Sequence, residues 1–200
     1  MAVAQGVLFE GESALPSGLV HREAFLDASE EREVLAGIAS LDLSEAQYKE
    51  YTAHRRVASF GAGYDPRLLH SGAGSDANEL TPAPVMAPFL LPLREKIARW
   101  SGAPAGEFGY ALVSEYRPGT QLGWHRDVPH FEKVVGVSLG GRAVMRFRPF
   151  PPAKGARILT LELAPRSAYI LQDDARWKWQ HSIAPTSELR YSITFRTRRK

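Results

Sequence analysis

The 200-residue sequence predicts an α+β fold in which N-terminal helices precede a double-stranded β-helix, the jelly-roll type of barrel. Three observations lead there. From Phe108 onward the chain reads as eight short strands separated by Gly and Pro. Residues 1 to 105 instead mix short apolar runs with turns and helical patterns. Hydrophobic residues make up 44% and charged residues 24%, the balance of one globular domain with a substantial core. We therefore expect a single domain over 1–200, with an extension at 1–105 and the β-helix core at 106–200.

Asp27-Ala-Ser-Glu30 has the form of a capping box and opens an amphipathic helix over Glu30 to Leu41. Ser44-Glu-Ala-Gln47 repeats the start signal and predicts a shorter helical turn. A third helix is expected over Met86 to Trp100, starting near Pro84 and Pro88 and stopped by Gly102, with Pro92 kinking it or delaying its start. The strands follow at Tyr110 to Tyr116, Leu122 to His125, Lys133 to Leu139, Ala143 to Arg148, Ile158 to Leu163, Ala168 to Leu171, Gln180 to Ile183 and Arg190 to Thr197. Gly140-Gly141 marks a hairpin turn, and Pro149 to Gly155 a longer loop.

Cysteine is absent, which excludes disulfides, thiolate zinc sites and a cysteine nucleophile. Any metal must sit on imidazole and carboxylate. The N-terminus lacks a basic n-region, and nowhere do 18 apolar residues run together, so the expectation is a cytoplasmic protein with no membrane partner. A monomer is the default expectation, although nothing in the sequence bears on oligomeric state. The formal charge is only +3, yet His54-Arg55-Arg56 and the C-terminal arginines concentrate positive charge locally. A charge run is also the ordinary look of a solvated surface, so basicity alone does not establish nucleic-acid binding.

His125-Arg126-Asp127 is the first chemical signal. In a strand the i and i+2 side chains share a face, so His125 and Asp127 can address one metal. Two histidines and a carboxylate are what a non-haem iron(II) oxygenase uses, leaving positions open for cosubstrate and oxygen. His181 opens a short β-branched segment suited to bring the third ligand from another strand. A local cluster of His125, Asp127 and His130 is the competing set; Pro129 interrupts the alternation and favours His181.

Arg190-Tyr-Ser-Ile-Thr-Phe-Arg196 is the second signal. With a period of two, Arg190, Ser192, Thr194 and Arg196 share a face opposite Tyr191, Ile193 and Phe195. On an open sheet those arginines are simply solvated; inside a barrel they require an anion. Tyr110, Leu112, Ser114 and Tyr116 give a second alternating wall, where Tyr116 can donate a phenolic hydrogen bond or serve as a core tyrosine.

These residues resemble the AlkB-like iron(II)- and 2-oxoglutarate-dependent dioxygenases over roughly 108 to 197, through Ser114-Glu-Tyr116, the Pro118-Gly119 turn, His125-Arg-Asp127, His181 and Arg190 to Arg196. The resemblance implies Fe(II) held by His125, Asp127 and His181, with O2 and 2-oxoglutarate as cosubstrates. Arg190 and Tyr116 would hold the distal carboxylate, and Arg196 would sit near the metal-bound end. Ser114 and Ser192 stand where family members commonly carry Asn, and a hydroxyl still donates.

Family members act on N-alkylated bases of DNA or RNA, of the 1-methyladenine and 3-methylcytosine type, beneath an N-terminal nucleotide-recognition lid. The resemblance thus implies oxidative dealkylation in nucleic-acid repair, with alkylated DNA or RNA as partner. Arg55, Arg56, Phe60 and Tyr64 offer the lid its phosphate contacts and stacking rings. Trp124, Trp177 and Trp179 are placed to stack on the base, and Asp173 to read an exocyclic amine. The plainer readings are a basic surface hairpin, core tryptophans and a solvated acidic turn. Three other functions stay open: an oxygenase acting on a protein side chain or small metabolite, a cupin-like zinc or manganese enzyme, and a non-catalytic jelly-roll module.

Overall fold

A computed structural model describes residues 15–48, 51–63, 81–82 and 84–200. In chain order the elements are β1 (Leu19–Arg22), α1 (Ala28–Ala39), β2 (Ser44–Tyr48), β3 (Tyr51–Gly63), β4 (Thr81–Pro82), α2 (Leu90–Ser101), β5 (Tyr110–Tyr116), β6 (Leu122–His125), β7 (Phe131–Gly140), β8 (Ala143–Pro149), β9 (Leu159–Leu163), β10 (Ala168–Leu171), α3 (Asp173–Trp177), β11 (Trp179–Ile183) and β12 (Arg190–Arg198). The strands form two antiparallel sheets, a larger one ordered β1-β10-β7-β12-β5-β3-β2 with β4 beside β3, and a smaller one ordered β6-β11-β8-β9. All eight strands expected after Phe108 are present.

Alternation along β12 explains the layering. Ile193 and Phe195 lie on the outer face of the larger sheet, in one apolar core with Val34 and Ile38 of α1 and Leu90, Leu93 and Ile97 of α2. The opposite face of that sheet meets the smaller one across a second core that includes Tyr116, Val134, Met145, Phe147, Tyr169 and Ile183. Helices thus cover one side of the large sheet, and the functional residues lie in the layer between the sheets.

Helix α1 starts as expected, because Asp27 accepts from the Ser29 and Glu30 amides while Glu30 reaches back to the Asp27 amide. Helix α2 begins at Leu90, later than expected, and ends on Gly102 at φ 69°. Pro92 neither kinks nor breaks it, since a first-turn residue has no intrahelical acceptor for the amide hydrogen that proline lacks.

Two expectations are corrected. Ser44 to Gln47 is not a helical turn but part of β2, with Ser44 opposite Val57 and Glu45 opposite Arg56. Four residues of helical pattern do not outweigh pairing with a thirteen-residue strand. Gly140-Gly141 does not close a hairpin either, because β7 and β8 belong to different sheets and the glycines carry the chain across. A Cβ on Gly141 would meet Glu188 Cβ at 2.8 Å and the Leu189 carbonyl oxygen at 2.9 Å, so this crossing requires glycine.

Candidate active site

Strands β6 and β11 lie side by side with His125 directly opposite His181, and their ring centroids are 4.2 Å apart. Asp127 follows β6 and brings Oδ2 to 3.6 Å from His181 Nε2. One ligand atom from each of these three residues lies within 4.8 Å of the others, and among the described residues this is the group able to hold a metal. His130, beyond Pro129, is not a member.

Hydrogen bonds prepare these groups for a cation. The Gly123 carbonyl oxygen lies 2.9 Å from His125 Nδ1, which favours the proton there and leaves Nε2 as the donor atom. Arg196 Nε donates to Asp127 Oδ1 at 2.7 Å. Burial works to raise the Asp127 pKa, but Arg196, followed by His181 and His125, holds the carboxyl well below its usual range. Burial and then the neighbouring His125 push His181 down to about 3. All three are therefore deprotonated at neutral pH, the state a metal requires. Arg196 has its Nε on a metal ligand and its Nη1 on Thr194, so its place is behind Asp127.

Beside the ligands, register builds a polar pocket. Arg190 pairs with Tyr116, Ser192 with Ser114 on β5 and Ser138 on β7, and Arg196 with Tyr110. Arg190 is 1% exposed, and its Nε donates to Ser138 Oγ at 3.0 Å. Its Nη1 is buried with no hydrogen-bond partner among the described residues. Leaving such a donor unpaired costs about 1–3 kcal/mol, and more on a charged group, so the pocket is built for an anion. Tyr116 faces the same space, with the Arg190 guanidinium 4.9 Å from its ring centre. A carboxylate-bearing cosubstrate fits here as two histidines and an aspartate fit iron(II).

Several residues were not apparent from sequence. Ser138 continues the serine row, and the alternation of Val134, Gly136 and Ser138 was its only signal. Tyr169 pairs with Gly136, where a Cβ would sit 2.2 Å from the Tyr169 Cζ. Burial raises the pKa of this tyrosine, although Arg190 opposes the shift. Arg176 is buried and donates from Nη2 to the Val128 and Phe131 carbonyls at 2.6 and 2.7 Å, fixing the segment that follows Asp127. Nothing in Asp-Asp-Ala-Arg foretells that contact.

The expected substrate residues divide. Arg55 turns inward, with Nη1 at 3.5 Å from the Tyr116 hydroxyl and its buried Nε unpartnered among the described residues. Arg56, one residue on, faces the other way and makes a two-pronged bond to Glu115 at 2.8 and 2.9 Å. Phe60 lies in the helix-side core. Strand alternation thus places Arg56 against Glu115 and Phe60 in the core, on the face opposite Arg55. Tyr64 lies outside the described residues.

Trp179 shares the His181 face of β11. Trp177 does not extend that strand; it ends α3, where Arg176 and Arg199 flank its ring and its Nε1 donates to Glu132. Trp124 faces away from His125, beneath Arg146 and Arg148. Asp173 is exposed at the start of α3, with φ 49°.

The model of the "2OG-Fe(II) oxygenase superfamily" matches residues 18–196. The chain is 37% identical over 106 residues to protein L905 of Acanthamoeba polyphaga mimivirus, covering 42% of this chain and 46% of that one. It is 28% identical over 176 residues to the tRNA (carboxymethyluridine(34)-5-O)-methyltransferase alkbh8 of Xenopus tropicalis, covering 86% of this chain and 26% of that one. The chain thus spans less than half the length of either relative. Among solved structures, that of OsALKBH1 superposes with TM-score 0.66 at 17% identity, covering 92% of this chain and 99% of the other. A Pseudomonas putida prolyl-4-hydroxylase superposes with TM-score 0.55 at 15% identity, covering 92% and 93%. With the match running from before β1 to Arg196 and enclosing every ligand, the chain belongs to the 2OG-Fe(II) oxygenase superfamily, and its metal-ligand triad fits the iron(II) that the family name carries.

Proposed function

We propose that this oxygenase removes alkyl groups from the ring nitrogens of nucleic-acid bases. His125, Asp127 and His181 would hold iron(II), which would supply oxidative chemistry with dioxygen as the oxidant, one oxygen atom going to the substrate carbon and the other to succinate as 2-oxoglutarate loses carbon dioxide. The chain's own residues orient and neutralise. Arg190 offers its free Nη1 to the distal carboxylate, with the Tyr116 hydroxyl beside it. Ser114 and Ser192 supply hydroxyls from the same wall. Arg196 fixes Asp127, and Arg176 fixes the chain just after it.

The observation that favours a nucleic-acid substrate is Arg55, a guanidinium beside Tyr116 whose buried Nε has no partner among the described residues. It can meet the carbonyl oxygen of a base or a phosphate at the mouth. The similarity to a tRNA-acting protein over 86% of this chain agrees with that reading. Hydroxylation of an N-methyl carbon gives an unstable product that releases formaldehyde and restores the base; 2-oxoglutarate leaves as succinate and carbon dioxide. The decisive assay offers a mixed panel of alkylated DNA and RNA oligonucleotides with iron and 2-oxoglutarate, reads masses, and includes a metal-free control. Loss of 14 mass units per methyl group, as expected for CH2, with succinate formation is the expected result; succinate that forms no faster with alkylated oligonucleotides overturns it.

A second reading, hydroxylation of a protein side chain or small metabolite, is favoured by the prolyl-4-hydroxylase likeness in fold. Oligonucleotide affinity that does not respond to salt would select it. The place of action is proposed as the cytoplasm; no helix among the described residues is long and apolar enough to cross a membrane.

A further inference from the structure

The outer face of the smaller sheet carries a feature that the active site does not use. Register places Gln180 beside Arg148 and Ser182 beside Arg146, opposite in facing to His181 and Phe147. Trp124 of the neighbouring strand lies under both arginines, with its ring centre 4.5 Å from the Arg148 guanidinium and 5.3 Å from that of Arg146. Arg126 lies 3.6 Å over the ring centre of Phe150 and donates to the Trp177 carbonyl. Three guanidiniums and two aromatic rings are thus gathered around the strand that carries His125.

These arginines differ from ordinary solvated ones. Arg146 Nε is tied to Ser182 Oγ at 3.0 Å and Arg148 Nε to Gln180 Oε1 at 2.8 Å. Each guanidinium is oriented by one nitrogen and by the ring beneath it, and the outer nitrogens remain to donate. Among the described residues no carboxylate forms an ion pair with Arg126, Arg146 or Arg148, and Glu162 on β9 is engaged with Arg142. An arginine held against an aromatic ring and tied through Nε loses little further rotamer freedom when it takes up an anion. Guanidiniums so placed, with no acidic partner among the described residues, complement phosphodiesters, whose recognition is dominated by charge.

We infer that this face binds the sugar-phosphate backbone of a single nucleic-acid strand whose modified base enters the metal pocket on the other side of β6. The inference rests on the nucleic-acid reading above and assigns it a surface. Trp124 and Arg126 flank His125 in sequence, so backbone lying on this face runs next to the metal ligands. Exposed rings such as Phe150 give the neighbouring bases a stacking surface.

The test measures the affinity of the full chain for unmodified oligothymidylate and oligouridylate as a function of salt. Each phosphate neutralised on a single strand contributes about −0.7 to the slope of log affinity against log salt. The double variant Arg146→Gln/Arg148→Gln is expected to bind more weakly at low salt, with a slope shallower by about 1.4. The oligomer that shows the change identifies the backbone as deoxyribose or ribose. Arg146→Lys/Arg148→Lys keeps the charges and is expected to keep the slope, which separates lost contact from lost folding. A glutamine variant with the wild-type slope overturns the surface alone, and so does a lysine variant that loses slope with it. A wild-type chain that binds neither oligomer with salt dependence overturns the nucleic-acid reading itself.

Discussion

Arg190 joins the largest number of requirements in one side chain. It must be buried, must orient through Ser138 and must keep one nitrogen free for an anion. Lysine keeps the charge but has no fork with which to do both. Arg190→Lys is therefore expected to raise the KM for 2-oxoglutarate by about tenfold or more, as the loss of one charge-assisted hydrogen bond of about 1.5–3 kcal/mol implies. Anaerobic titration with 2-oxoglutarate should report the same loss without turnover. The ligands make a pH prediction. With the His181 pKa lowered to about 3 from 6.5, the unfolded chain takes up a proton in that window that the folded chain refuses. Metal-free protein should therefore lose stability as pH falls from 6.5 toward 3. Asp127, lowered from 3.8, confers stability above that value and loses it as pH falls further. Thermal melts of the metal-free protein between pH 7 and 4 should show a steeper decline than those of His181→Gln. Residue identity in the sequence was enough to name His125, Asp127, His181 and Arg190. It could not separate Arg55 from Arg56, because neighbours in a strand face opposite ways and nothing local says which face is inside.

At the scale of elements, the site is a product of register. Tyr116 beside Arg190, Ser114 beside Ser192 and Ser138 beyond them lie in adjoining rungs of one ladder, held by the pairing of β5, β12 and β7. Gly136 sits in that ladder and admits the Tyr169 ring to the pocket. Gly136→Ala should push Tyr169 aside, lower stability by about 1–3 kcal/mol as an overpacked core does, and weaken 2-oxoglutarate binding. Denaturant unfolding and cosubstrate titration together read both effects. Strands with clear alternation were legible from sequence to within about two residues at their ends. The N-terminal strands β1, β3 and β4 were not, nor was β2, whose short helical pattern yields to pairing with β3, nor α3, whose five residues are too few to show a helical period. That hidden helix is what separates Trp177 from Trp179.

For the whole molecule, the larger sheet is a shared wall between an apolar core beneath the helices and the polar layer that holds the metal ligands. Phe195 and Arg196 are neighbours in sequence, one in the core and the other on Asp127. Phe195→Ala is expected to cost about 3–5 kcal/mol, read as a lower unfolding midpoint, and to loosen metal binding because the same strand carries Arg196. The sequence by itself determined the α+β class, the eight core strands, the chemical nature of the ligands and the shared face of Arg190 and Arg196, since each follows from side-chain chemistry and a period of two. Tertiary structure decided which face of each strand is interior, which aromatics reach the pocket, that Gly140-Gly141 joins two sheets, and that Arg176 braces the metal loop. Those features depend on contacts between residues distant in sequence, and local pattern carries no record of the partner.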